Sequence, residues 1–178
     1  MKKIGIIAGS LRSGARSRQI AAIVSSMLGE GAKVIEIGDL TLYNQDLEKN
    51  PPAAWTAFRE EIRAQDAVLF ITPEYNRSIP AALKNALDIG SRPGNQSVWD
   101  GKPGGVISLS AGKMGGFGAN HVLRQTAVVL NIPMMPQPEA YLAGIETILD
   151  GNGALKDEGA RAFLQSITEA FINWIERF

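Results

Sequence analysis

The chain has 178 residues, of which 45% are hydrophobic, enough for one domain with a full core. Eighteen lysines and arginines balance eighteen acids, so the net charge is zero and the basic excess of a general nucleic-acid binder is missing. Cysteine is absent, which removes disulfides, thiolate metal sites and a thiol nucleophile and suits a reducing cytosol.

The run Lys3-Ile4-Gly5-Ile6-Ile7-Ala8 reads as a buried strand. A chain that enters a strand at once leaves no room for a signal peptide, and no apolar run is long enough to span a membrane. The expected location is therefore the cytoplasm. The loop Gly9 to Arg18 follows, and then Ile20, Ile23, Val24, Met27 and Leu28 mark one face of a helix. Lys33 to Ile37 reads as a second strand, ended by Gly38-Asp39. Leu40 to Pro52 is polar and reads as a loop. Trp55, Phe58 and Ile62 mark a short helix, and the continuous apolar run Ala67 to Ile71 is a third strand buried on both faces. In the next segment Ser78 is a candidate N-cap and Pro80 suits a first helical turn, with the helix running through Leu83, Ala86 and Leu87 to Gly90. Gly104 to Leu109 is a fourth strand. A glycine-rich loop from Ser110 to Gly118 leads into a helix from about Ala119. A fifth strand is expected at Met134–Met135 or at Ala140–Leu142, between which lie Pro136 and Pro138. The stripe Phe163, Ile167, Ala170, Phe171, Trp174 and Phe178 defines a last helix with a core-facing side.

Strands alternating with helices imply a parallel sheet covered on both faces. Five strands at this spacing fit a single flavodoxin-like, doubly wound α/β domain over residues 1–178, with strand order 2-1-3-4-5. In such a sheet a ligand sits beyond the carboxyl ends of the strands, at the point where the order reverses. The loops after strands one, three and four all reach that edge, and all three have unusual composition.

The first of these loops is built for an anion. From Ile4 to Gly29 there is no acid, while Arg12, Arg16 and Arg18 are present with Ser10, Ser13 and Ser17. A helix N-terminus offers free N–H groups and a favourable dipole, and arginine adds a bidentate fork. The bland alternative is a solvated loop with a helix cap at Ser13 or Ser17. Neither a G-x-G-x-x-G after the first strand nor a G-x-x-x-x-G-K-[ST] motif occurs, so a dinucleotide Rossmann site and a P-loop are set aside. A phosphate loop at this switch point favours a mononucleotide, with FMN the usual occupant. Pro73 to Asn76 offer backbone N–H groups, Tyr75 and Asn76 to its ring, and Ser110 and Gly112 close the other side.

Two segments carry a family resemblance: Gly9-Ser10-Leu11-Arg12, and Pro73-Glu74-Tyr75-Asn76-Arg77-Ser78-Ile79-Pro80 followed by Leu83-Lys84-Asn85-Ala86. A weaker third is Ser110-Ala111-Gly112 with Gly115-Gly116 and Leu123-Arg124-Gln125. Over nearly its whole length the chain resembles the NAD(P)H-dependent FMN reductases, in particular their quinone- and chromate-reducing members. The resemblance implies that Ser10, Arg12 and Ser17 hold the FMN phosphate, that Pro73, Glu74, Tyr75 and Asn76 line the ring largely through main chain, and that Ser110 closes the pocket. The family often has serine where Ala15 stands and asparagine where Ser17 stands, so one phosphate donor is either missing or replaced by Arg16 or Arg18. The implied reaction passes electrons from NAD(P)H through FMN to a small-molecule acceptor: a quinone, free flavin, an azo dye or a metal oxyanion such as chromate. The implied assembly is a homodimer or homotetramer.

No side chain is assigned an acid–base role, because flavin chemistry is carried by the cofactor. Glu74 reads as a loop residue used through its backbone, His121 as structural and Lys113 as solvated. Tyr75 suits either the flavin face or a partner subunit. The alternative from another class is a flavodoxin-like electron carrier that does not itself oxidise a nicotinamide. Zero net charge and three loop arginines speak against it.

Overall fold

The computed structural model describes residues 2–178. Five parallel strands form one sheet in the order β2-β1-β3-β4-β5, where β1 is Ile4–Ala8, β2 Ala32–Ile35, β3 Ala67–Pro73, β4 Gly104–Leu109 and β5 Ala140–Leu142. The register pairs Ile4 to Ala8 with Ala67 to Ile71, and Val68 to Pro73 with Gly104 to Leu109. The helices are α1 Arg16–Leu28, α2 Ala53–Arg63, α3 Ala81–Gly90, α4 Phe117–Val129, the single turn α5 Ile145–Ile148 and α6 Glu158–Ile175.

Strand side chains alternate between the two faces. Ile4, Ile6 and Ala8 join Leu69, Ile71, Ile107 and Leu109 in the layer under α1 and α6. Ile7, Val68, Phe70 and Val106 join the opposite layer, under α2, α3 and α4. Both faces of the central strands are thus covered, which explains their unbroken apolar runs.

Several boundaries differ from the sequence reading. β2 leaves the ladder after Ile35, and Ile37 is buried without pairing. A 3₁₀ turn at Gln45–Lys49 interrupts the loop before α2. The fifth strand is Ala140–Leu142; Met134 makes only a single bridge to Gly104, because Pro133 and Pro136 on either side have no N–H to extend the ladder. α4 starts at Phe117 rather than at Ala119. Ser78 does not cap α3: Pro80 holds the N-cap position with extended dihedrals. α6 ends at Ile175, so Phe178 lies beyond it and is exposed, resting its edge on Trp174. Among the described residues no helix is long and apolar enough to cross a membrane.

Candidate functional site

The carboxyl ends of β1, β3 and β4 lie side by side, and the loops that leave them converge. At the first, Ser10 is 3% exposed, and the Arg12 carbonyl accepts the Ala15 N–H at 2.9 Å to turn the chain into α1. Ala15 occupies the N-cap position and has no side chain able to cap. Neither serine caps the helix, contrary to the bland reading of this loop. The first-turn N–H groups of Arg16 and Ser17 therefore keep no side-chain partner. Ser17 is 1% exposed, and its Oγ has no hydrogen-bond partner. An orphaned buried hydroxyl beside an uncapped helix N-terminus is costly unless a ligand completes it.

After β3 the chain makes a two-residue turn between Tyr75 and Ser78, which exchange two backbone hydrogen bonds of 2.9 Å. Asn76 and Arg77 take φ of 52° and 66°, the pair of left-handed residues such a turn requires. Ser78 closes this turn through its backbone and stands two residues before the N-cap position of α3, which Pro80 holds. The turn presents Tyr75, 48% exposed, whose hydroxyl meets Ser10 Oγ at 2.9 Å and so ties the first loop to the third strand. The Glu74 carboxylate turns the other way. It accepts the N–H groups of Gly118 at 2.7 Å and Ala119 at 3.3 Å, and pairs with Arg77 at 3.1 Å. An acid on the first turn of α4 is favoured by the helix dipole. A Cβ on Gly118 would stand 3.0 Å from that carboxylate and from the Arg77 carbonyl, so the approach needs glycine there.

The third wall is the segment after β4. Ser110 N–H donates to the Leu142 carbonyl at 3.1 Å, and the Ser110 carbonyl accepts from Ile145 at 3.1 Å, which fastens the loop to the start of α5. Behind it, Ser108 Oγ donates to the Gly115 carbonyl at 2.9 Å, Asn120 donates to Ser108 Oγ at 3.1 Å, and Arg124 donates to Asn120 at 2.9 Å and to the Met135 carbonyl at 2.9 Å. The Arg124 motif thus braces the glycine loop rather than lining a site. Gly116 opens α4 at φ 78°, where a Cβ would stand 3.0 Å from the Leu109 backbone.

Together these loops enclose a cleft of about 190 Å³. Ser10, Arg12, Ser17, Pro73, Glu74, Tyr75 and Ser110 all line it. A second hollow, of about 290 Å³, shares Ser10, Arg12 and Tyr75 with it and extends toward Pro80 and Ala82. Arg18, Asn76 and Gly112 are not among the residues lining either hollow. Arg18 is held by Glu36 through bonds of 2.8 and 2.6 Å, an ion pair that raises its pKa above the ordinary value. Asn76 sits at the exposed tip of its turn, and Gly112 is exposed beside Ser110, its carbonyl accepting Ser110 Oγ at 3.1 Å.

The sequence reading missed Glu146, which reaches the cleft from α5 and pairs there with Arg16. No periodicity announces it, since α5 is one turn long and lies more than a hundred residues from its partner. A larger groove, of about 300 Å³, lies between α2 and residues 89–96 and is lined by Arg59, Arg63 and Arg92. It lacks the orphaned hydroxyl and does not sit at the carboxyl ends of the strands, so the chemistry favours the smaller cleft. Among the described residues no cluster of side chains suits a metal ion.

The donor set fits a phosphate. Ser17 Oγ, the uncapped first turn of α1 and Arg12 converge, and among the described residues Arg12 forms none of the ion pairs. Comparison with known proteins agrees with this chemistry. Residues 2–147 match the profile of the NADPH-dependent FMN reductases. A quinone reductase from Pseudomonas putida is 49% identical over 176 residues, covering 97% of this chain and 94% of its own. A 2-hydroxy-1,4-benzoquinone reductase from a Burkholderia species is 40% identical over 175 residues, covering 97% and 96%. The solved structure of a flavoenzyme NAD(P)H:(acceptor) oxidoreductase from Paracoccus denitrificans superposes with a TM-score of 0.92 at 35% identity, covering 99% of this chain and 98% of its own.

Proposed function

This chain belongs to the NADPH-dependent FMN reductase family, and on that premise we propose that it is an NAD(P)H-dependent quinone reductase that holds FMN in the cleft between β1, β3 and β4. The observation that carries the reading is the orphaned Ser17 hydroxyl at an uncapped helix N-terminus beside Arg12, a ready-made phosphate site. Bound FMN would supply two-electron chemistry, by which the hydride of NAD(P)H and one proton end on a quinone as a hydroquinone.

The chain supplies binding and orientation. Ser10, Arg12 and Ser17 take the phosphate, and Pro73 to Tyr75 and Ser110 border the ring. Asn76, Gly112 and Arg18 stand outside the cleft's lining, and Arg18 is committed to Glu36. Glu74 contributes by fixing the turn to α4, so its side chain is not available as a base. The cleft is open to solvent beside the exposed Tyr75 and Ala111, which leaves one side for a planar guest. Donor and acceptor use that side in turn, which gives ping-pong kinetics. The acceptor class is quinones first; free flavin, azo dyes and chromate follow if the open side tolerates varied guests.

The protein works as a homodimer or homotetramer in the cytoplasm. Val128 and Val129, 80% and 82% exposed on α4, and the exposed Phe117 beside His121 and Tyr141 offer an apolar surface for assembly. Steady-state rates with NAD(P)H varied against a benzoquinone test the reading. Parallel double-reciprocal lines support it; intersecting lines, or no quinone reduction by the FMN complex, refute it.

A further inference from the structure

Arg16 and Glu146 meet across the cleft from opposite walls, the first turn of α1 and the first turn of α5, and both line it. Arg16 Nε lies 3.2 and 3.1 Å from the two carboxylate oxygens, its Nη2 also bonds Oε2, and its Nη1 donates to Gln19 Oε1 at 3.0 Å. All three nitrogens of this guanidinium are engaged. The pairing holds the Glu146 carboxyl below the usual carboxylate range, with Arg12 adding to the effect, so the acid stays charged at neutral pH. The site therefore contains a cation already committed and an anion where an incoming phosphate must approach. The other acid in the lining, Glu74, is occupied at α4 and faces away from this conflict.

A phosphate gains the bidentate Nε–Nη2 face of Arg16 only by displacing Glu146, so the exchange gains little. A carboxylate left at the mouth repels the dianion whether or not the exchange occurs. We propose that Glu146 is an affinity-limiting residue of the phosphate site: it withholds Arg16 from FMN and opposes the phosphate charge, so that FMN is held loosely enough to exchange with free flavin. The proposal rests on the reading of this cleft as the FMN site. It assigns Glu146 no part in the redox step.

The test is titration of apo-protein with FMN and with riboflavin at fixed ionic strength, in wild type, E146Q, R16A and R16A/E146Q. Riboflavin lacks the phosphate and reports whether the cleft is intact. E146Q is expected to lower the FMN Kd roughly tenfold, about 1.4 kcal/mol, and to slow FMN release, with riboflavin binding unchanged. R16A leaves Glu146 facing the phosphate alone and raises the FMN Kd; the double variant returns it toward wild type. An FMN Kd that is unchanged or higher in E146Q, with riboflavin binding intact, overturns the proposal and makes Glu146 a support for Arg16. A wild type that binds riboflavin as tightly as FMN overturns the phosphate reading itself, independently of the variants.

Discussion

Ser17→Ala separates a binding hydroxyl from a structural one, because the two roles give opposite signs. In the free protein Ser17 Oγ is buried and has no partner. An unsatisfied buried hydroxyl costs about 1–3 kcal/mol, and alanine is the better helix former by up to about 0.5 kcal/mol. The apo form of S17A is therefore expected to gain about 1–2 kcal/mol. With a urea m-value of about 2 kcal/mol per molar, its midpoint should rise by roughly 0.5–1 M. If the phosphate of bound FMN satisfies the hydroxyl, as proposed, the hydrogen bond to a charged group contributes about 1.5–3 kcal/mol. S17A is then expected to raise the FMN Kd about 10- to 150-fold. Urea unfolding of apo-protein and calorimetric FMN titration read the two halves separately. A destabilised apo-protein with an FMN Kd within about twofold of wild type would refute the reasoning.

Arg12→Ala is expected to weaken FMN binding by about 1.5–3 kcal/mol while leaving riboflavin affinity unchanged, measured by the same titrations; equal losses for both ligands would move Arg12 away from the phosphate. Glu74→Ala removes a charged cap from α4 and should cost about 1–2 kcal/mol in urea unfolding, with no change there contradicting the cap. The Tyr141 phenol is pushed up to about 12, first by burial and then by the Glu139 carboxylate beside it. Its proton is held more tightly in the folded than in the unfolded chain, so its stabilisation is complete below about pH 10 and is lost as pH rises from there toward 12. Ultraviolet titration should show a late phenol step that Tyr141→Phe removes; an unchanged late step would assign it elsewhere.

The architecture was legible because β1, β3 and β4 are buried on both faces and write themselves as unbroken apolar runs. The convergence of three loops followed from topology, since strands in this order must release them at one edge. Side-chain direction was less legible. Arg12, Arg16 and Arg18 look alike in sequence, yet among the described residues Arg12 forms no ion pair, while Arg16 meets Glu146 and Arg18 meets Glu36. Those partners come from α5 and from the residue just after β2, places whose proximity only the fold creates. Ser78 misled for a related reason. Serine before Ile-Pro reads as a cap, but the left-handed pair Asn76-Arg77 needs a closing residue, and Ser78 serves there. The last strand was ambiguous because prolines at 133, 136 and 138 delay pairing until Ala140.

The central claim is that FMN bound in this cleft is reduced by a nicotinamide nucleotide without a partner protein. Anaerobic stopped-flow mixing of the FMN complex with NADH or NADPH tests it most directly. The expected result is loss of the visible flavin band within seconds, restored by adding a benzoquinone. A band that resists both nucleotides but is bleached by dithionite would contradict the claim and mark the protein as an electron carrier.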